Sequence, residues 1–249
     1  MNYGLDNKIV LITGGSVGLG RTLINEFQAQ NCTVIFGNRN EELGKKVEKE
    51  TGAEFVKFDL SDIDSIKNII SYVSKKYGRL DILVNNAALC CNSQMPMAEF
   101  DDDYIQASFT INSLGTYKCM QEAIRVMLKQ ETKGTIVNIT SITTVRGGAG
   151  VSVYASSKAA INSMTAAAAN EYGSLGIRIN AVMSGVIGTE GTKAFKEASP
   201  EHYKAFCSNI PLARVAEPEE IAKPVLWLCC EDSSYVQGHL LVVDGGCLI

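Results

Sequence analysis

Two residues of this 249-residue chain have types and spacing suited to proton chemistry: Tyr154 and Lys158, in the stretch "YASSK". Four residues apart on a helix, they share one face, one turn from each other. A phenol and an ammonium so placed can act as an acid/base pair. They can equally be an aromatic ring packed on a lysine stem, and the spacing alone leaves both readings open. A second candidate lies thirteen residues before Tyr154: Ser141, at the end of "GTIVNITS". In a parallel sheet the loops at the carboxyl ends of strands build the site. Ser141 stands at such an end unless it merely caps a turn, and a helix starting near Tyr154 can return over the same crevice.

A third cluster is rich in glycine. "TGGSVGLG" follows an apolar β-type run, and Gly14, Gly18 and Gly20 have the spacing G-x-x-x-G-x-G. Such glycines let the backbone turn sharply and approach a pyrophosphate at a helix N-terminus. The strand before and the helix after give the motif its required context; the alternative is a plain strand-to-helix turn. The second strand ends in "VIFGNRN". Asn38 stands where an acid would hold the ribose 2′-OH of NAD, and Arg39 follows. Nothing negative repels a 2′-phosphate, and a guanidinium can bind one bidentately. Ser16 could add a hydroxyl. The reading favours NADP(H) over NAD(H), with a solvated loop arginine as the alternative. Asp59 and Leu60 end the third strand near where adenine would lie, and "NNAA" (85 to 88) ends the fourth beside the cofactor.

The elements that must position these groups alternate along the chain. Strands are expected at "KIVLITGG", "CTVIFG", "AEFVKFDL", "LDILVNNAA", "GTIVNITS", "GIRINAV" and "HLLVVDGG". Between them come helices, one marked by Leu19, Leu23 and Phe27 and another by Ile63, Ile66, Ile70, Val73 and Tyr77. Long helices are expected over residues 102 to 129 and 152 to 172, and a further one over 217 to 231. The acidic run "EFDDDY" suits a helix start. This alternation predicts an α/β fold, a Rossmann-type doubly wound parallel sheet of seven strands with helices on both faces. No linker or repeat divides the chain, so residues 1 to 249 read as a single domain. Residues 186 to 210 lack periodicity and are expected to form a flexible lid.

Composition fits. Hydrophobic residues make up 46% and charged residues 20%, with a net charge of -4. There is no basic stripe for nucleic acid and no Lys/Arg block for an anionic membrane. No run reaches the roughly 18 apolar residues of a membrane span, and the opening stretch lacks a signal pattern. A cytosolic protein is expected. The eight cysteines include the adjacent pairs Cys90-Cys91 and Cys229-Cys230 but no Cys-x-x-Cys, and the histidines are only His202 and His239. Free thiols are expected, and no metal site.

Taken together, "TGGSVGLG", "NNAA", Asn112 in "INSLG", Ser141, "YASSK", "INAVMSGVIGT" and the ending "PEEIAKPVLWLCCEDSSYVQGHLLVVDGG" resemble the short-chain dehydrogenase/reductase family across essentially the whole chain. Within it the chain is most similar to ketone reductases, among them ketoacyl-thioester reductases and hydroxysteroid dehydrogenases. The resemblance implies that Tyr154 is the general acid in reduction and the base in oxidation. An ordinary tyrosine pKa near ~10 is too high for proton exchange at neutral pH. The Lys158 ammonium and an oxidised nicotinamide would both favour phenolate. The resemblance further implies that Lys158 binds the nicotinamide ribose and that Ser141 holds the carbonyl oxygen. Asn112 would bend its helix and hold a water that relays protons, and Thr189 would bind the carboxamide. Leu19, Asn86, Ala87, Gly185 and Ile187 complete the implied cofactor site.

The chain departs from the family pattern at Ser184-Gly185, where relatives usually carry Pro-Gly, and at Ala213, often glycine. The substrate pocket is expected to be lined by Cys90, Cys91, Ile142, Thr143, Val151, Val186 and the lid, mostly apolar or small. Arg146 either meets an anionic group there or lies on a surface loop. The implied partner is a small carbonyl or alcohol substrate, a hydrophobic or alicyclic ketone, with a 3-ketoacyl thioester as the alternative. The two long helices are where members pair, so a homotetramer is expected. A non-catalytic NADPH sensor or scaffold is the competing class, and a Rossmann methyltransferase a more distant one.

Overall fold

In the computed structural model, which describes residues 2–90 and 94–249, seven parallel strands form one sheet. They are β1 (Ile9–Thr13), β2 (Thr33–Asn38), β3 (Glu54–Lys57), β4 (Ile82–Asn85), β5 (Thr135–Ser141), β6 (Arg178–Ser184) and β7 (Leu240–Val243). The spatial order is β3-β2-β1-β4-β5-β6-β7. The chain starts mid-sheet, winds outward to β3, then returns past β1 to build the other half. That reversal between β1 and β4 opens a crevice at the carboxyl ends of the strands, where such folds bind ligands.

Ten α-helices connect and cover the strands among the described residues: α1 (Gly18–Gln28), α2 (Glu41–Thr51), α3 (Ile63–Tyr77), α4 (Asp102–Ser108), α5 (Thr116–Met127), α6 (Thr143–Arg146), α7 (Ser152–Tyr172), α8 (Glu190–Ala198), α9 (Pro200–Cys207) and α10 (Pro218–Cys229). Strand residues alternate between two cores, as the two-residue period of a strand requires. Val10, Ile12 and Val84 face one layer with Leu23 and Phe27 of α1 and Val225 of α10. Leu11, Ile35 and Leu83 face the other with Ile66, Ile70 and Val73 of α3 and Met120 of α5. β1 and β5 are buried throughout, which explains why their sequences run apolar without alternation.

Helix ends follow local chemistry. Asp62 accepts from Asp64 N to start α3, and Gly78 closes it at φ 74°. α3 buries Ile69 as well as Ile66, Ile70 and Val73, and leaves Ile63 exposed. Apolar periodicity gave residues 41–51 no element; they form α2, which buries only Gly44 and Val47 and owes its ends to the Asn40 cap and Gly52. The expected helix over 102 to 129 is interrupted. Between α4 and α5 lies a π-helical segment, Phe109–Gly115, whose wider turn brings Asn112 inward. The region 186 to 210 also holds regular structure that its sequence pattern does not show. It forms α8 and α9, held to each other by Phe195 against Tyr203 and Phe206, with ring centroids 5.8 and 6.2 Å apart. Each helix is too short to show a sustained period. The seven described cysteines carry free thiols.

Ala213, beyond α9, sits at φ 54°. A side chain there crowds the backbone, whereas glycine does not. Ala213→Gly is expected to raise unfolding free energy by about 0.5–1 kcal/mol, measured by urea denaturation; a loss of stability would contradict the strain.

Candidate active site

A cleft of about 420 Å³ opens over the carboxyl ends of β1, β4 and β5. Its floor at one end is the β1-to-α1 turn. Gly20 has no room for a side chain: a Cβ there would lie 2.0 Å from the carbonyl oxygen of Gly14. Gly18 adopts φ 52°. At both positions a side chain would crowd the turn. α1 begins without a side-chain cap and without an acid in its first turn, so its leading N–H groups are open to an anion. Asn86 fastens this turn to β4: its Nδ2 donates to the carbonyls of Thr13 at 3.1 Å and Gly14 at 2.9 Å. Thr13 Oγ1 accepts from the backbone of both Asn86 and Ala87 at 3.1 Å.

At the β2 end, Asn38 Nδ2 donates to Ser16 Oγ at 2.6 Å, and Asn38 Oδ1 accepts from the Arg39 backbone at 2.9 Å. Asn38 thus spaces the Ser16 hydroxyl from an exposed arginine, neither of them negative. Across the cleft, Asp59 accepts from Ser61 N at 2.9 Å and Ser61 Oγ at 2.6 Å. Burial acts to raise its carboxyl, but the Ser61 hydrogen bonds and the Arg39 charge outweigh it and hold the group below the usual range. Glycine cradle, uncapped helix start and a hydroxyl–guanidinium pair together fit a phosphorylated dinucleotide.

The other end holds Tyr154 and Lys158, both on the cleft wall. Lys158 is only 2% exposed, and its Nζ donates to the carbonyl of Ile139, on β5, at 2.9 Å. Burial pushes the ammonium down to about 8, with Cys90 acting weakly in the opposite direction. Ser141, 9% exposed, stands two residues beyond Ile139 at the end of the same strand. Asn112 is fully buried and spends its side chain on neighbours. Its Oδ1 accepts from Leu89 N at 2.7 Å, while its Nδ2 donates to Leu89 O at 3.0 Å and Ser157 Oγ at 2.9 Å. That amide joins the π segment, the strand-end loop of β4 and α7. Thr189 heads α8, and its methyl would lie 3.3 Å from a Cβ on Gly18, so α8 begins directly above the glycine turn.

Every residue expected of the cofactor site lines this cleft except Gly185, which packs its bare Cα against Asp244. The expected substrate wall is more scattered. Cys90 lines the cleft; Ile142 is buried; Val186 packs on the cluster of Cys207, Ile210 and Val215; Val151 heads α7; Cys91 lies outside the described residues. Arg146 donates to the carbonyl of Cys247 at 3.3 Å. Phe58, Ile111 and Thr140 also line the cleft and had no signal in the motifs. Thr13 had none either, although its place at the end of a buried strand is the kind of position where a hydroxyl must find partners. Among the described residues, no group of His, Cys, Asp and Glu is placed to hold a metal ion, and no helix is long and apolar enough to cross a membrane.

Fold and cleft match known proteins along almost the whole chain. A family model described as "Enoyl-(Acyl carrier protein) reductase" covers residues 14–247. The chain is 36% identical to the 3-oxoacyl-[acyl-carrier-protein] reductase FabG of Thermotoga maritima, over 98% of this chain and 99% of that one. It is 34% identical to the short chain dehydrogenase/reductase astE of Aspergillus oryzae, over 98% of this chain and 96% of that one. The solved structure of ElxO with NADP bound superimposes with a TM-score of 0.92 at 34% identity, covering 97% and 99% of the two chains. The chain belongs to the short-chain dehydrogenase/reductase family. It is an oxidoreductase of the CH–OH/C=O pair.

The buried lysine makes a checkable demand on stability. Its folded pKa, about 8, lies below the ordinary 10.5. Below pH 8 both folded and unfolded chains carry the proton, and the folded chain bears the full cost of a buried charge. Between pH 8 and 10.5 the unfolded chain binds the proton more tightly, so stability rises with pH. Measured by denaturant unfolding without cofactor, wild type is expected to gain about 3 kcal/mol on Lys158→Met across that window. A constant difference between the two would show that the ammonium is not desolvated.

Proposed function

We propose that this protein interconverts a ketone and a secondary alcohol with NADP(H), with Tyr154 exchanging the proton. The observation that carries the reading is the position of Lys158: an ammonium buried against Ile139 O, four residues from Tyr154, in the same cleft as the glycine turn. The reading takes further support from ElxO, a relative with NADP bound, and from the pairing of Ser16, Asn38 and Arg39.

Bound NADPH supplies the hydride. Tyr154 donates its phenolic proton to the carbonyl oxygen as negative charge develops there, and takes it back in oxidation. Lys158, positive and desolvated, stabilises the phenolate left behind; in low-dielectric surroundings that attraction is stronger than in water. Ser141 donates a hydrogen bond to the same substrate oxygen. Arg39 and Ser16 hold the 2′-phosphate, the leading N–H groups of α1 hold the pyrophosphate, and Thr189 orients the carboxamide. Asn112 acts through structure, keeping the Leu89 loop and the Tyr154 helix in register; a relay water would lie beside it. Residues 186–210, with α8 and α9, serve as the lid.

The substrate we propose is a hydrophobic or alicyclic ketone, because the described wall is apolar or small and Arg146 is engaged by the Cys247 carbonyl. A 3-ketoacyl thioester is the second reading, favoured by the likeness to FabG. We further propose a homotetramer, with the exposed Phe109, Leu114 and Tyr117 beside the alanine face of α7 as contact surfaces. The proposed setting is the cytosol, which keeps thiols such as the exposed Cys90 reduced.

NADPH oxidation assayed against ketoacyl thioesters, steroid ketones, cyclic diketones and ketoses should show turnover in one class. Tyr154→Phe should cut it at least about a hundredfold while NADPH, followed by fluorescence titration, still binds. Turnover surviving in Tyr154→Phe refutes the proton role. Arg39→Ala should weaken NADPH at least about tenfold and leave NADH nearly unchanged; equal losses refute the 2′-phosphate contact. Light scattering should give a mass four times the 26.9 kDa chain.

A further inference from the structure

Ser141 is followed by a single helical turn, α6, and two threonines of that turn fasten it from different sides. Thr143 donates to Ser141 Oγ twice, from its backbone N–H at 3.2 Å and from its own Oγ1 at 2.9 Å. A hydroxyl offers two acceptor sites and one proton. With both acceptor sites filled, the only capacity left at Ser141 Oγ is donation. Thr144 Oγ1 meanwhile donates to the Ser141 carbonyl at 2.7 Å and accepts from Asn162 Nδ2 at 2.9 Å. Asn162 follows Tyr154 and Lys158 on α7 at the same four-residue spacing, so all three share a face. The turn therefore ties the backbone of Ser141 to the helix that carries Tyr154, and Thr143 fixes its hydroxyl.

We propose that Thr143 is a positioning residue that makes Ser141 an obligate hydrogen-bond donor toward the substrate oxygen. The inference rests on the proposed role of Ser141. A serine whose lone pairs were open could accept the Tyr154 proton and compete with the substrate for it. A serine that already accepts two hydrogen bonds cannot, and its O–H is polarised by them into a better donor. Thr143 itself transfers no proton. Its position two residues past the strand end suggests only a wall of the pocket; the role appears once α6 turns it back on Ser141.

The test uses Thr143→Val, which keeps the shape and the N–H but loses the hydroxyl, and Thr143→Ser, which keeps it. On a ketone that wild type reduces, Thr143→Val should lower kcat about five- to tenfold, with KM and NADPH affinity held within about twofold. Thr143→Ser should restore kcat. In a Ser141→Ala background, Thr143→Val should have no further effect on kcat. A crystal structure of Thr143→Val, read independently of turnover, should show Ser141 Oγ in more than one rotamer, against one in wild type and Thr143→Ser. Unchanged kcat in Thr143→Val, an equal loss with and without Ser141, or a single unmoved Ser141 rotamer would each overturn the proposal. Failure of the underlying reading is distinct: full turnover in Ser141→Ala would remove the role of Ser141, and this proposal with it, whatever Thr143 does.

Discussion

The structure turns on one buried contact, the Lys158 ammonium against the Ile139 carbonyl. Desolvating an ammonium is costly, and one neutral carbonyl offsets only part of that cost. The depressed pKa is the sign of the deficit. A leucine or methionine at the same place would cost the fold less. Strand and helix hold the charge at the crevice, and in the proposed reaction it favours the ionised form of the Tyr154 phenol. On that proposal, stability is given up locally for a fixed positive charge where a negative one forms. α7 is aligned by the same contact, because Tyr154 stands one turn before Lys158 and Asn162 one turn after.

Around this charged contact the supporting hydrogen bonds are nearly all neutral. Asn112 clasps Leu89 from both sides and reaches Ser157. Asn85 donates to Asn138, which donates to Thr165 of α7, so a buried amide ladder crosses from β4 to β5 to the helix. Neutral partners can be satisfied without further desolvated charge, and they leave Lys158 as the dominant field at the chemical end. The nucleotide end is built differently. There the backbone itself is the surface, and side chains such as Asn86 and Asn38 serve mainly to hold it in place.

That difference explains what could be read from the sequence. A backbone-lined cradle demands glycine at fixed spacing, and a strand buried on both faces demands an apolar run; both are written locally. The seven strands and the glycine turn were legible for that reason, and α1, α3, α7 and α10 through their helical patterns. α2 was not, because it buries only Gly44 and Val47 and depends on its caps. The π segment left no mark in the apolar period; only the resemblance, which implied a bend at Asn112, pointed to it. α8 and α9 escaped because two turns are too few for periodicity. The substrate wall was the least legible part. Val186, Cys207, Ile210 and Cys247 meet only through the fold, and the Arg146 side chain finds its partner 101 residues away.

Ser184 shows how a departure from the family pattern is absorbed. A proline there would fix φ and remove an N–H at the point where β6 leaves the sheet. Serine leaves the backbone freer, but its hydroxyl donates to the Thr140 carbonyl at 3.2 Å, and its own carbonyl accepts from Ile142 N at 3.0 Å. The two contacts straddle Ser141 on the neighbouring strand. A side-chain hydrogen bond thus replaces a ring as the restraint on the strand end, and it is applied next to the residue whose orientation the proposed reaction uses. On the other side, Gly185 N donates to Val243 O of β7 at 2.9 Å. The end of β6 is thus tied to β5 on one side and to β7 on the other.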